Sequence, residues 1–230
     1  MLICCTPEEE PELCTTIDFN GYTYNLVQIG DQCWFAENLR TTEYANGNPI
    51  LGNLSNIEWT FTNEGAQGVN PLHEEQDLGR YYNFHAVLDS RNICPTKWHI
   101  PSDSEWMSLE TNLGMENSEL NEYGVRGEVE QIGSSLKTEI FNGSNESGFN
   151  AFAAGWRLSD GVFDPWTFGS QTLFWTSTGF DFTDDGGEKI VITRALFDNY
   201  DGISRGQLSG LAADQSLTDS WRMGLHVRCL

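Results

Sequence analysis

The chain has 230 residues, 39% of them hydrophobic, with Trp 8, Tyr 7 and Phe 13, enough for the core of one large domain or two small ones. Its 34 acidic and 12 basic side chains give a formal net charge of −22, which argues against nucleic acid and anionic lipid as partners, because both are held by Lys and Arg. No apolar run approaches the roughly 18–20 residues of a bilayer span, so no transmembrane segment is expected.

The amino terminus, "MLICCTPEEEPELC", is a short apolar scrap, two cysteines and an acidic, Pro-containing tether. It reads as the end of a bacterial lipoprotein signal whose hydrophobic region is missing, with Cys4 or Cys5 as the lipidated residue. A small residue normally precedes that cysteine, and an arbitrary starting point is the competing reading. Residues 1–13 are expected to be a flexible acidic leader, ahead of one domain over 14–230. The six cysteines lie at 4, 5, 14, 33, 94 and 229. No CxxC pair occurs, and only His73, His85, His99 and His226 could add imidazole ligands, so a structural zinc site is not expected. An even cysteine count in a Trp- and Gly-rich acidic chain fits an oxidising compartment.

From Ile17 the pattern is short strands and turns. Asn20-Gly21, flanked by β-favouring residues, predicts a hairpin. Tyr22 to Ile29 and Cys33-Trp34-Phe35 continue it as a β-meander. Residues 45–80 read as loop, with Asn-Gly, Gly-Asn and Asn-Pro steps. "GRYYNFHAVLD" offers an aromatic strand or a short helix. Ser102-Asp-Ser-Glu105 is a capping box, and Trp106, Leu109 and Leu113 share one helical face before Gly114, so a helix is predicted over Asp103 to Leu113. A second helix is predicted over Glu128 to Lys137, with Val129, Ile132 and Leu136 on one side. "FNAFAAGWRLSDG", "TLFWTSTG", "KIVITRALFD" and "RMGLHVRCL" read as strands. Strands, then helices, then strands make an α+β domain.

Six segments occur here in one order: "DFNGYTYNLVQIGDQCWFAENLRT", "GRYYNFHAV", "ICPTKWHIPSDSEW", "NESGFNAFAAGWR", "FWTSTG" and "GLHVRCL". That order resembles the Fibrobacter succinogenes major paralogous domain, a family of surface proteins and lipoproteins of Bacteroidota and relatives, over roughly residues 14–230. The family is similar to the C-type lectin-like fold shared with formylglycine-generating enzymes. The resemblance implies a C-type lectin-like α+β fold with short twisted strands, one or two helices and long loops, on the outer cell surface. Val162 to Gln171 and Phe180 to Ser220 match no carried-over motif, and in such folds the second region holds ligand contacts.

The cysteine spacing alone leaves many pairings open. The resemblance implies Cys14–Cys33 and Cys94–Cys229. A nucleophilic cysteine needs a nearby base and a lowered pKa, and the Cys94–His99 spacing does not force contact. Formylglycine-generating relatives use two cysteines on late strands, whereas only Cys229 lies there, so no catalytic residue is assigned and the chain reads as a non-enzyme. The calcium-binding tripeptides of lectins do not occur. Asp181, Thr183 and Asp185 followed by Gly186 resemble half of a calcium loop, in which oxygens converge on a hard cation. Ile192 stands where the closing acid belongs, so calcium remains a secondary expectation beside a solvated turn.

The segment "ALFDNYDGISRGQLSGLAADQSLTDSW" mixes Asn199, Tyr200, Asp201, Arg205, Gln207 and Trp221 with small residues, the composition of adaptable binding loops. Its place before the last strand resembles the variable region of C-type-lectin-like proteins diversified by retroelements. These six residues are the expected contact surface for a protein or glycan ligand. Asn199 to Gly202 also reads as a simple hairpin turn.

Overall fold

A computed structural model describes residues 14–181, 189–210 and 220–230. The chain enters through an antiparallel meander of β1 (Thr16–Phe19), β2 (Tyr22–Ile29) and β3 (Gln32–Phe35). Asn20 and Gly21 both take positive φ, 48° and 78°, and Phe19 pairs with Tyr22 across them. Two left-handed residues in succession give the turn a twist that matches the flanking strands, as the Asn-Gly step predicted. The Cys14–Cys33 disulfide ties the entry of the chain to β3.

The stretch read as loop over 45–80 holds a short helix, α1 (Asn56–Phe61). Ser55 caps the Glu58 amide while the Glu58 carboxylate accepts from the Ser55 backbone. This box was visible as Ser-Asn-Ile-Glu, but no long apolar face follows it: Ile57 and Phe61 are exposed and only Trp59 and Thr60 are buried. β4 (Gln67–Gly68) pairs with β5 (Tyr81–Tyr82), and α2 (Phe84–Leu88) follows, capped by Asn83. The aromatic segment is thus a strand and then a helix.

α3 (Asp103–Asn112) has the predicted capping box at Ser102 and Glu105, buries Trp106 and Leu109, and stops before Gly114 at φ 105°. The second predicted helix is shorter than expected. α4 spans Ile132–Leu136, because Gln131 takes φ 56° and ends any helical path from Glu128. Val129 points to solvent, not onto the apolar side with Ile132 and Leu136.

The largest sheet is antiparallel, in the order β6 (Gly124–Arg126), β9 (Ile203–Gly210), β8 (Lys189–Phe197), β7 (Gln171–Asp181). β7 and β8 occur where strands were predicted. "FNAFAAGWRLSDG" and "RMGLHVRCL" form no extended strand; they make isolated bridges instead. The closing residues 224–230 act as a stitch through the interior. Gly224 exchanges backbone bonds with Arg157, Leu225 with Tyr82 and Leu230 with His99, and the His226, Val227 and Cys229 carbonyls accept from Trp175, Leu39 and Phe35. Each partner lies in a different segment, so the terminal residues satisfy their polar groups without a regular ladder. Cys229 bonds Cys94 at the same place.

Two apolar clusters flank this stitch. One gathers Tyr24, Phe35, Tyr82, Phe84 and Trp175; the other gathers Trp34, Trp106, Phe149, Phe174 and Ile203. The architecture is α+β: few short helices and several antiparallel sheets of short strands.

Candidate functional site

Two surfaces concentrate exposed polar and aromatic groups on rigid supports. The first is the β8–β9 hairpin tip, residues 198–202. Asp198 N–H donates to the Ser170 carbonyl at 2.9 Å and Ser134 N–H to the Asp201 carbonyl at 3.0 Å. Beneath the tip, Lys137 is fully buried and its ammonium donates to the carbonyls of Phe197 (2.8 Å) and Tyr200 (2.6 Å). Burial pulls the Lys137 pKa below its ordinary value, against the carboxylates of Asp201, Asp198 and Glu128, which raise it. Gly133 completes the seat: a Cβ there would stand 1.8 Å from the Gly202 carbonyl oxygen. The tip is thus clamped through its backbone while the side chains of Asn199, Tyr200 (43% exposed) and Asp201 face outward. Ser170, which binds Asp198, belongs to the loop carrying Trp166, 86% exposed.

Of the six residues expected to make contacts, Asn199, Tyr200 and Asp201 therefore stand together on the tip, and Gln207 is exposed along β9. Arg205 and Trp221 do not join them. Arg205 is 8% exposed, with its guanidinium at 3.0 and 2.7 Å from the Asp103 carboxylate. It belongs to a buried cluster in which Arg194 bonds Asp103 (2.8 Å) and Glu110 (2.6 Å), and Arg126 bonds Glu110 (2.8 Å). Burial alone would raise the Asp103 pKa; Arg205 and Arg194 outweigh it and hold the carboxyl below its usual value. Trp221 is 7% exposed and packs edge-on against Phe84. Both residues are interior, because alternation along β9 turns Arg205 toward α3 and the 3-10 turn Ser220–Arg222 folds Trp221 inward. The adaptable loop expected here is, over Ile203–Gly210, a paired strand.

The second surface is a cleft of about 590 Å³ between residues 53–56, the 68–80 loop and Arg157–Phe163, a size that suits a small ligand. A neighbouring hollow of about 220 Å³, lined by His73 and Phe168, continues it past Arg80. His73 lies flat on Phe168 at 3.4 Å. Arg157, 4% exposed, is sandwiched by Trp59 and Phe163 at 4.0 and 5.0 Å. Burial lowers its pKa to about 10. Nothing in the residue order pointed to this cleft, whose walls come from segments about a hundred positions apart; "GWR" carried the resemblance with no role attached.

Of the expected calcium residues, Thr183 and Asp185 lie outside the described residues, as do Cys4 and Cys5; Asp181 ends β7. Among the described residues, no group of three His, Cys, Asp or Glu side chains could hold a metal ion, and no helix is long and apolar enough to cross a membrane. The described thiols are joined as Cys14–Cys33 and Cys94–Cys229, the pairing the resemblance implied. Cys94 is fully buried, and His99 bonds Glu105 at 2.8 Å.

No curated protein and no solved structure matches this sequence. Residues 27–230 match the Fibrobacter succinogenes major domain. That match spans most of the chain, so the chain belongs to the Fibrobacter succinogenes major domain family.

Proposed function

We propose that this protein is a binding module of C-type lectin-like type, displayed on the outer cell surface, that presents its β8–β9 tip to a protein or glycan ligand. The observation that carries this reading is the clamped tip, where Asn199, Tyr200 and Asp201 project from a backbone held by Lys137, Ser134 and Ser170. A contact loop fixed before binding loses little conformational entropy when it binds. The exposed Gln207 extends the surface along β9, and Trp166 extends it along the adjacent loop. Two features favour binding over oxidase chemistry: Cys94 and Cys229 are joined to each other, and His99 is engaged with Glu105.

Diversification of this region by a retroelement is compatible with the geometry. The tip side chains face outward, and the bonds that fix the tip run through backbone carbonyls and amides, so new side chains leave the clamp intact. Paired glycan and surface-protein arrays probed with the wild type and an Asn199→Ala/Tyr200→Ala/Asp201→Ala variant test the placement. The reading predicts array features bound by the wild type and lost from an equally stable variant. An identical set of bound features in both proteins would remove the tip from the contact surface.

A further inference from the structure

We propose that the cleft between residues 53–56, the 68–80 loop and Arg157–Phe163 binds a small organic carboxylate, received by the guanidinium groups of Arg157 and Arg80. This site shares no residue with the hairpin tip, so it stands or falls separately from the reading above.

The argument begins with where the cleft's positive charges are answered. Arg157 donates from Nε to the Gly161 carbonyl at 2.7 Å, and from Nη2 to the Leu54 carbonyl at 3.2 Å and weakly to Asn56 Oδ1 at 3.4 Å. Its Nη1 has no hydrogen-bond acceptor among the described residues and lies beside Gly68, 3.1 Å from where a Cβ would sit. Arg80 donates from Nε to the Arg40 carbonyl at 2.9 Å and from Nη1 to Gln67 Oε1 at 2.7 Å. Every one of these acceptors is neutral. Both arginines line the cleft, and among the described residues neither lies within salt-bridge reach of a carboxylate.

That arrangement is notable in a chain with 34 acids to 12 bases. A buried guanidinium is stabilised strongly by a carboxylate or phosphate in bidentate geometry, as in the cluster behind α3. Arg228 is also buried without a carboxylate, but it has four neutral acceptors and lines no described cleft, whereas Arg157 turns an unanswered Nη1 toward one. Here Glu74 is the one acid among the described lining residues, and it is exposed at the rim. The neutral polar lining favours an acceptor ligand as well. Asn56 Oδ1 is committed to Arg157 and Asn70 Oδ1 to the Leu72 amide at 3.1 Å, which leaves their amide N–H₂ groups as the uncommitted ends.

Leu54, Leu72, Val162 and Phe163 give the cleft apolar walls as well. A carboxylate on a compact, apolar-faced body satisfies both parts of the lining. A sugar acid and the C-terminal residue of a hydrophobic peptide share that chemistry.

Calorimetric titration of the full chain with galacturonate and with N-acetylphenylalanine, each beside its uncharged counterpart (galactose and N-acetylphenylalaninamide), tests the proposal. Binding of at least one acid, with its neutral counterpart bound roughly tenfold or more weakly, is the expected result, because a charge-assisted pair is lost. The acid that binds identifies the source: galacturonate a saccharide, N-acetylphenylalanine a peptide terminus. Arg80→Gln is expected to weaken the acid about tenfold without shifting the melting temperature beyond a few degrees. Absence of binding by both acids at about 10 mM overturns the proposal. So does equal binding of acid and neutral counterpart, or an Arg80→Gln affinity equal to wild type.

Discussion

Two buried arginine sites in this molecule are answered in opposite ways. Behind α3, Arg194, Arg205 and Arg126 share the carboxylates of Asp103 and Glu110 at 2.6–3.0 Å. Across the molecule, Arg157 meets, among the described residues, only carbonyls, an amide oxygen and two aromatic faces. The first cluster is internally matched and ties α3 to β6, β8 and β9. The second is held in place but not neutralised, and it opens into a cleft. A buried arginine without a carboxylate does not by itself mark a functional group in this protein, because Arg228 is also buried on neutral acceptors, Asn38 Oδ1 and the Phe35, Phe149 and Asn150 carbonyls. What sets Arg157 apart is that it lines a cleft with Nη1 unanswered among the described residues.

The largest expected effect breaks the matched side. Arg194→Ala leaves both Asp103 and Glu110 short of a partner in a closed interior and is expected to destabilise the protein by about 3–5 kcal/mol. Arg157→Gln removes a cation that no carboxylate depends on, and about 1–3 kcal/mol is expected from the orphaned carbonyls. Urea denaturation of both variants checks the ranking; equal losses would mean that the two environments do not differ as described.

Acid sharpens the same comparison through a third buried group. His226 is fully buried, donates from Nδ1 to the Arg80 carbonyl, and is held neutral by burial with its pKa pushed down to about 3 from 6.5. Below pH 6.5 the unfolded chain takes up a proton that the folded chain refuses. Stability should fall as the pH drops toward 3, by up to about 1.4 kcal/mol per unit. Asp103, held below its usual value by the two arginines, adds its loss as the pH falls through the ordinary carboxylate range and below it. His226→Asn should therefore flatten the profile between pH 6.5 and 4.5 and leave the steeper fall beneath it. An unchanged slope in that window would place the acid sensitivity elsewhere.

The smallest effect belongs to the tip. Tyr200→Ala removes an outward side chain whose ring lies 5.8 Å from that of Phe197, and a stability change within about 0.5 kcal/mol is expected. A loss of several kcal/mol, read by thermal melting, would mean that Tyr200 is part of the core and not a contact residue.

Local chemistry was legible in the sequence wherever a few neighbouring residues decide the backbone. Asn20-Gly21 specified its turn and Ser102-Asp-Ser-Glu105 its helix start, because each signal is complete within four positions. The family resemblance carried the disulfides. What escaped reading depends on distant partners. Residues 224–230 look like a strand but thread between segments that arrive from every part of the chain, so their bonds fall into no ladder. Arg205 carries the same composition signal as a binding-loop anchor, and only the position of Asp103, some hundred residues earlier, turns it into an interior group. The cleft is the extreme case. Arg80 and Arg157 become neighbours through β5, the terminal stitch and the loop after β4, and no spacing announces it.

The central claim is that Asn199, Tyr200 and Asp201 are offered on a preorganised tip. Amide hydrogen exchange of the 198–204 segment in the wild type and in Lys137→Met tests it most directly. The account predicts a slowly exchanging Asp198 amide in the wild type, bonded to the Ser170 carbonyl, and clearly faster exchange once the ammonium that bonds the Phe197 and Tyr200 carbonyls is gone. Fast exchange of that amide in the wild type, or an identical rate in both proteins, would contradict it.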